Sequence, residues 1–324
     1  MTSSITELST TLSKPKPRRL SEMPHTIVLA AHPLKKLRAF ALVFMGLPFL
    51  GSLIAIVLAS KLGIDGIDLG ILLMMLIIAQ IGIEVGYHRF FSHHAFKAKK
   101  SVAIFLGIAG SMAAQGTISY WISNHRRHHA NTDHSLDPHS PYHYGDGFLN
   151  RLLGIWHSHI GWMFNSEATY MGRYGRDLLN NEIVTYVDSH YFKWIVLGVA
   201  FPALIGGLLH GNAYGVLTGF LWGGLFRIFL GQQLVYSVNS LCHLVGKRPF
   251  KTNDQSTNIN VLSIVTCGGS LHNTHHAFPD TAINGLNWWQ IDPGAWFIRS
   301  LEFMGLVWDV KLPSQAMMEA KRYC

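Results

Sequence analysis

The stretch Asn124-His125-Arg126-Arg127-His128-His129 sets three imidazoles where a helix would gather them, because residues three and four apart share a face. Leu271-His272-Asn273-Thr274-His275-His276 repeats the spacing. His88-Arg89-Phe90-Phe91-Ser92-His93 carries a pair five apart, which suits a helix end better than the middle of a face. Imidazole ligates Zn, Cu, Fe and Ni, so the donor type alone leaves the metal open. Eight imidazoles in three short motifs are more than one tetrahedral site takes, and the expectation is two metal ions. A lone helical histidine is ordinarily a core or surface residue. Two HxxHH motifs and an HxxxxH in one apolar chain read instead as ligands.

The elements that must carry these motifs are apolar. Of 324 residues, 49% are hydrophobic and only 14% charged, against about a quarter charged in a soluble domain. The formal charge of +8 leaves 19 histidines uncounted. No nucleic-acid motif accompanies it, and the basic residues flank apolar runs, so a membrane surface is the expected partner. Cys242, Cys267 and Cys324 show no pairing pattern, which excludes a disulfide scaffold and fits a reducing compartment. Residues 1–30 open without a signal peptide, with Lys14, Lys16, Arg18 and Arg19 among prolines, and are expected as a disordered cytoplasmic tail.

Leu37 to Ser60 is long enough to span a hydrocarbon core of ~20 residues. Lys35, Lys36 and Arg38 stand at its entrance, and this asymmetry puts the N-terminus on the cytoplasmic side. Leu69 to Tyr87 returns the chain to that side, ending on His88. Ser101 to Tyr120 is only weakly apolar, and a crossing there would separate His88 and His93 from His125, so it is expected as a re-entrant or interfacial helix packed on protein. Phe192 to Leu209 and Tyr214 to Val238 complete four spans. Residues 121–190 and 243–310 then form a helical cytoplasmic cap, and 311–324 a C-terminal tail. The fold class is all-α integral membrane, with both termini and a His-rich dimetal site on the cytoplasmic side.

These motifs, with Asp137-Pro138-His139, Ser158-His159-Ile160-Gly161-Trp162 and the run His276-Ala277-Phe278-Pro279, resemble the membrane fatty acid desaturases of the acyl-CoA or acyl-carrier Δ9 type. The similarity covers about residues 70 to 295. It implies a di-iron centre that uses O2 and two electrons to remove two hydrogens from an unactivated acyl chain. The implied ligands are His88, His93, His125, His128, His129, His272, His275 and His276. To these the family's Asn-(three)-His motif adds His243 as a ninth, with Asn239 reaching a metal through water. Spacing alone would class His243 as an ordinary histidine. Asp133 is expected behind a ligand.

Glu84, one turn before His88, is either a hydrogen-bond partner of a ligand histidine or a buried carboxylate paired to Arg or Lys. His94, His134, His139, His143, His157 and His159 are cap or surface residues. Trp288, Trp289, Trp296 and Trp308 are expected as core residues or interface anchors rather than a substrate box. The substrate implied is a fatty acyl group on CoA or a carrier protein, met at a basic face. No haem or Fe–S motif is present, so a separate ferredoxin or b-type cytochrome is the expected electron donor. Two iron ions are the expected cofactor, and zinc can stand in for iron in purified material, since affinity alone does not select iron. Hydroxylation, acetylenation or decarboxylation to a terminal alkene could use the same scaffold. A metal transporter or sensor would need ionisable residues along its spans, which hold few beyond Glu84 and Arg227.

Overall fold

The computed structural model describes residues 20–323, so Lys14, Lys16, Arg18, Arg19 and Cys324 lie outside the described residues. Among the described residues, four helical runs are long and apolar enough to cross a membrane: Ala31–Leu62, Gly66–Ser92, Tyr191–His210 and Ala213–His243. The first, α1 (Ala31–Leu62), inverts the burial pattern of a soluble protein. Its buried residues are the small ones, Ala41, Pro48, Gly51, Ser52 and Ala55, while Leu42, Leu47, Leu50, Leu53 and Ile54 face outward. Small residues let helices approach, and the large apolar ones meet lipid. At Gly51 an added Cβ would stand 2.3 Å from the Leu225 side chain.

Helix α2 (Gly66–Ile81) starts on Asp65, whose side chain accepts from the N–H groups of Ile67 and Asp68, filling two of the orphan donors at a helix start. It continues without a break as a π-helix over Gly82–Ser92. Helix α3 (Lys100–Met112) has 13 residues, about 20 Å at 1.5 Å per residue, too short for a hydrocarbon core of roughly 30 Å. It packs on the π-helix and on the third span. The segment from Ser101 to Tyr120 therefore holds a short packed helix, a turn with Ala114 and Gly116 at positive φ, and the start of α4 (Ile118–Asn131). Thr117 caps α4, and Asp188 accepts from the N–H groups of Ile118 and Ser119.

After α4 come α5 (Phe148–His159), the single turn α6 (Met171–Tyr174) and α7 (Glu182–Ser189). Helix α8 (Tyr191–His210) ends at Gly211 in the left-handed region, φ +68°. Helix α9 (Ala213–Gly219) runs through a second π stretch, Phe220–Phe226, into α10 (Arg227–Ser240) and a 3-10 turn, Leu241–His243. Fully buried Arg227 donates to the carbonyls of Gly223, Met112 and Gly198, tying α10 to α3 and α8. Then follow α11 (Asn260–Ser263), α12 (His272–Ala277), α13 (Pro293–Phe303) and α14 (Gln315–Lys321).

Strand is confined, among the described residues, to two antiparallel ribbons and a few bridges. β1 (Thr26–Val28) pairs with β3 (Glu167–Thr169), and β2 (Lys97–Ala98) with β4 (Val307–Trp308). The first ribbon changes the reading of residues 20–30, which composition alone assigned to the tail: the short run Thr26-Ile27-Val28 inside a polar segment forms a strand once β3 offers its edge. The C-terminal residues are also held. Lys311 donates its N–H to Ala95 and accepts from Ala282, and Phe250 bridges Arg322.

Candidate metal centre

The π-helix decides where the first pair of histidines points. In a π turn the N–H of residue i+5 bonds the carbonyl of residue i, and the His93 N–H donates to the His88 carbonyl at 3.2 Å. His93 itself caps the end of this helix, as the five-residue spacing suggests, and the π-type bond sets its ring beside that of His88. The two rings lie 5.1 Å apart, centroid to centroid.

Each HxxHH motif is divided between two groups. The ligand nitrogens of His88, His93, His125, His129 and His275 lie within 4.8 Å of one another, as do those of His128, His243, His272 and His276. Helix α4 gives its four-apart pair to the first group and His128 to the second. Helix α12 does the reverse, giving His272 and His276 to the second and His275 to the first. His243, on the turn after α10, meets His272 with its Nε2 3.0 Å away. Asn239, one turn earlier, lines the space bounded by Glu84, His88, His125 and His272.

Carboxylates fix the orientation of four rings. The Nδ1–H of His88 donates to Glu84 at 3.0 Å, that of His128 to Asp137 at 3.0 Å, that of His243 to Asp133 at 3.2 Å, and that of His276 to Asp254 at 2.9 Å. With the proton on Nδ1, each Nε2 keeps a lone pair. These lone pairs converge: Nε2 separations are 2.9 Å for His88–His275 and His275–His129, 2.7 Å for His93–His125, and 3.0 Å for His272–His276. Facing lone pairs repel, whereas adjacent nitrogens around a cation at ~2.0–2.1 Å stand about 3 Å apart. The donor set therefore fits two transition-metal ions.

Burial, followed by the neighbouring imidazoles, holds His125, His129, His272 and His275 well below the ordinary imidazole range. That keeps them neutral, the form that ligates. Burial works against the Asp254 carboxylate, but the hydrogen bond and charge of His276, with Ser256, outweigh it and hold Asp254 well below the carboxylate range.

Glu84 fills both roles open to it. Besides His88 it accepts from Arg89, which is fully buried and also pairs with Asp292 at 3.0 Å. Asp133 sits at φ +64°, a conformation aspartate tolerates, and also takes the Gln255 N–H. Asp137 and Asp254 were not singled out as ring partners from sequence. The signal for Asp137 was its place nine residues past His128; Asp254, in a loop far from any motif, gave none. His157 stacks on His143 with centroids 4.6 Å apart, and His159 bonds Ser240 and Gln233. His139 packs against the His128 ring at 4.4 Å without entering either group of nitrogens. His94 is exposed beside Asp177.

An apolar cavity of about 560 Å³ reaches the centre, within the range of ligand pockets. Phe40, Phe44 and Met45 of α1, Tyr120 and Trp121 of α4 and Tyr236 of α10 line it together with His125 and Asn239. Trp121 stacks on the His125 ring with centroids 4.9 Å apart.

Residues 68–305 match the profile of a family described as Fatty acid desaturase. The chain is 41% identical over 283 residues to a hex-5-enoyl-[acyl-carrier protein] acetylenase of Moorena producens, covering 87% of this chain and 88% of the relative. It is 37% identical over 248 residues to Delta-9 acyl-lipid desaturase 1 of Arabidopsis thaliana, 76% of each. It is 36% identical over 238 residues to an acyl-CoA C20 Delta5-desaturase of Anemone leveillei, 72% of this chain and 70% of the relative.

Proposed function

The chain belongs to the fatty acid desaturase family, and from that premise we propose that it is an O2-dependent di-iron desaturase of fatty acyl chains carried on CoA or a carrier protein. It is an oxidoreductase acting on fatty acyl chains. The observation that carries the finer reading is the division of nine imidazoles into two facing groups beside an apolar cavity that His125 helps to line.

His88, His93, His125, His129 and His275 would hold one iron, and His128, His243, His272 and His276 the other, with Asn239 contributing through water. Iron bound there supplies the oxidising power to break an unactivated methylene C–H bond. The chain's own residues position and shield. Phe40, Phe44 and Tyr236 hold the acyl chain by apolar contact, and Trp121 closes the wall beside His125, so the reacting methylene is placed and kept dry. Glu84, Asp133, Asp137 and Asp254 hold the Nδ1 protons and fix ring orientation. Lys36 at the α1 side of the cavity suits a phosphate-bearing carrier. Two electrons come from a separate ferredoxin or b-type cytochrome. The membrane lies around the four spans, with the histidines and both termini on the cytoplasmic side.

Purified protein given acyl substrate, O2 and an electron donor should contain two irons per chain and yield a product lacking two hydrogens by mass spectrometry. One metal per chain, or turnover without O2, overturns the reading. A second reading, acetylenation of an already unsaturated chain on a carrier protein, is favoured by the 41% identity to the Moorena producens acetylenase. Matched saturated and alkenyl substrates decide between them: conversion of the alkenyl substrate alone selects the acetylenase.

A further inference from the structure

A further group of metal-ligating side chains, Asp65, Asp68 and His210, lies far from the histidine groups. Asp65 uses Oδ1 to cap α2, accepting from the Ile67 and Asp68 N–H groups at 2.9 Å each. Its Oδ2 is left pointing at His210, 3.6 Å from Nδ1. Asp68, one turn on, is only 3% exposed. Its Oδ1 has no hydrogen-bond partner and stands 3.5 Å from His210 Nε2, which also has none. Both separations are too long for hydrogen bonds, yet the ligand atoms of all three residues lie within 4.8 Å of one another. The cap explains Asp65. It does not explain Asp68, since a buried carboxylate oxygen without a donor is costly.

His210 is held in place by the turn that follows it. Gly211 closes α8 at φ +68°, and Asn212 donates its side-chain N–H to the His210 carbonyl at 3.1 Å. Asp68 and His88 are twenty positions apart on one helical run, roughly 30 Å at 1.5 Å per residue, so this group shares nothing with the histidine groups.

We propose that Asp65, Asp68 and His210 form a separate divalent-cation site that clips the start of α2 to the α8–α9 turn at the opposite ends of the spans. Two carboxylate oxygens alone would suit Mg²⁺ or Ca²⁺; the imidazole turns the preference to the zinc class. Three protein ligands leave a position for water. The site is independent of the desaturase reading.

The test uses full-length protein in detergent with its histidine groups loaded with iron, and Zn²⁺ alone as the probe. Wild-type protein should retain one zinc per chain more than Asp68→Asn or His210→Gln, by elemental analysis after dialysis. Zinc should raise its Tm and leave that of the variants unmoved, with turnover unchanged in all three. Loss of a ligand should weaken zinc binding by more than the roughly 10–100-fold that loss of an outer partner costs. His210→Gln keeps a polar side chain over Asp68, so it serves if Asp68→Asn misfolds. Equal zinc content in wild type and His210→Gln, with no zinc-dependent Tm, overturns the site. So does a wild-type Tm that rises only on acidification, since a protonated His210 would then be pairing both carboxylates.

Discussion

At the scale of single residues, the two groups of imidazoles are not equivalent. The four-histidine group has carboxylates behind three of its rings, from Asp137, Asp133 and Asp254, whereas the five-histidine group has one, from Glu84. Among the described residues, the buried Nδ1 atoms of His272 and His275 have no partner. A carboxylate behind the ring raises ligand basicity, and its loss typically costs about 10–100-fold in metal affinity or activity. Asp254→Asn should therefore release one metal to a chelator about 10–100-fold more readily and leave the other, read by timed metal analysis. Equal loss of both metals would contradict separate sites. His243→Ala removes a ring of the same group outright and should abolish turnover and leave one metal, whereas His157→Ala and His159→Ala should keep two. The eight histidines of the three motifs were legible in the sequence as candidate ligands because spacing announces them, whereas His243 came only from the resemblance. Asp254 was not, because a loop brings it to His276 across 22 positions and leaves no periodic trace.

At the scale of elements, the π-helix sets the geometry. Its glycines let two backbones touch: a Cβ at Gly82 would stand 2.1 Å from the Gly110 nitrogen, and one at Gly110 would stand 2.4 Å from the Tyr87 ring. Backbone cannot yield as a flexible side chain can, so Gly82→Val should destabilise the protein by at least the 1–3 kcal/mol typical of overpacking, about 2 kcal/mol at the centre of that range. The measurement is Tm in detergent, with metal content alongside, since shifting the π-helix off α3 moves both His88 and His93. An unchanged Tm would mean that the contact between the π-helix and α3 is looser than described. Apolar runs revealed the spans by length alone. The π turn was hidden, because i→i+5 bonding changes no hydropathy pattern, and the five-residue histidine spacing was its single written sign. The ribbon β1–β3 was hidden too: three residues, two of them exposed, at the edge of a polar segment become a strand only when a partner about 141 positions away supplies the edge.

At the scale of the whole molecule, every histidine of the two groups must be reached from one side of the membrane, and that is a statement about crossings. The second span ends on the π-helix and the fourth on His243. Helix α3, between His93 and His125, is too short to cross. Lys97, Asp146 and Lys251 should then share a side, while Lys61 and Asn212 lie on the other. All five are exposed in the structure, so each can report. The charge pattern of the sequence gives the same expectation: Lys35, Lys36, Arg38, Lys99, Lys100, Lys247 and Arg248 flank the spans at the ends expected on the histidines' side, and the turn His210-Gly211-Asn212-Ala213 holds no Lys or Arg. Single cysteines at the five positions, in a background with Cys242, Cys267 and Cys324 replaced, should react with an impermeant thiol reagent in two sets. Lys97→Cys, Asp146→Cys and Lys251→Cys should be protected in intact cells and react in inverted vesicles; Lys61→Cys and Asn212→Cys should do the opposite. If Lys97→Cys and Asp146→Cys label from opposite sides, α3 crosses after all. His93 and His125, whose Nε2 atoms lie 2.7 Å apart, could then not belong to one centre.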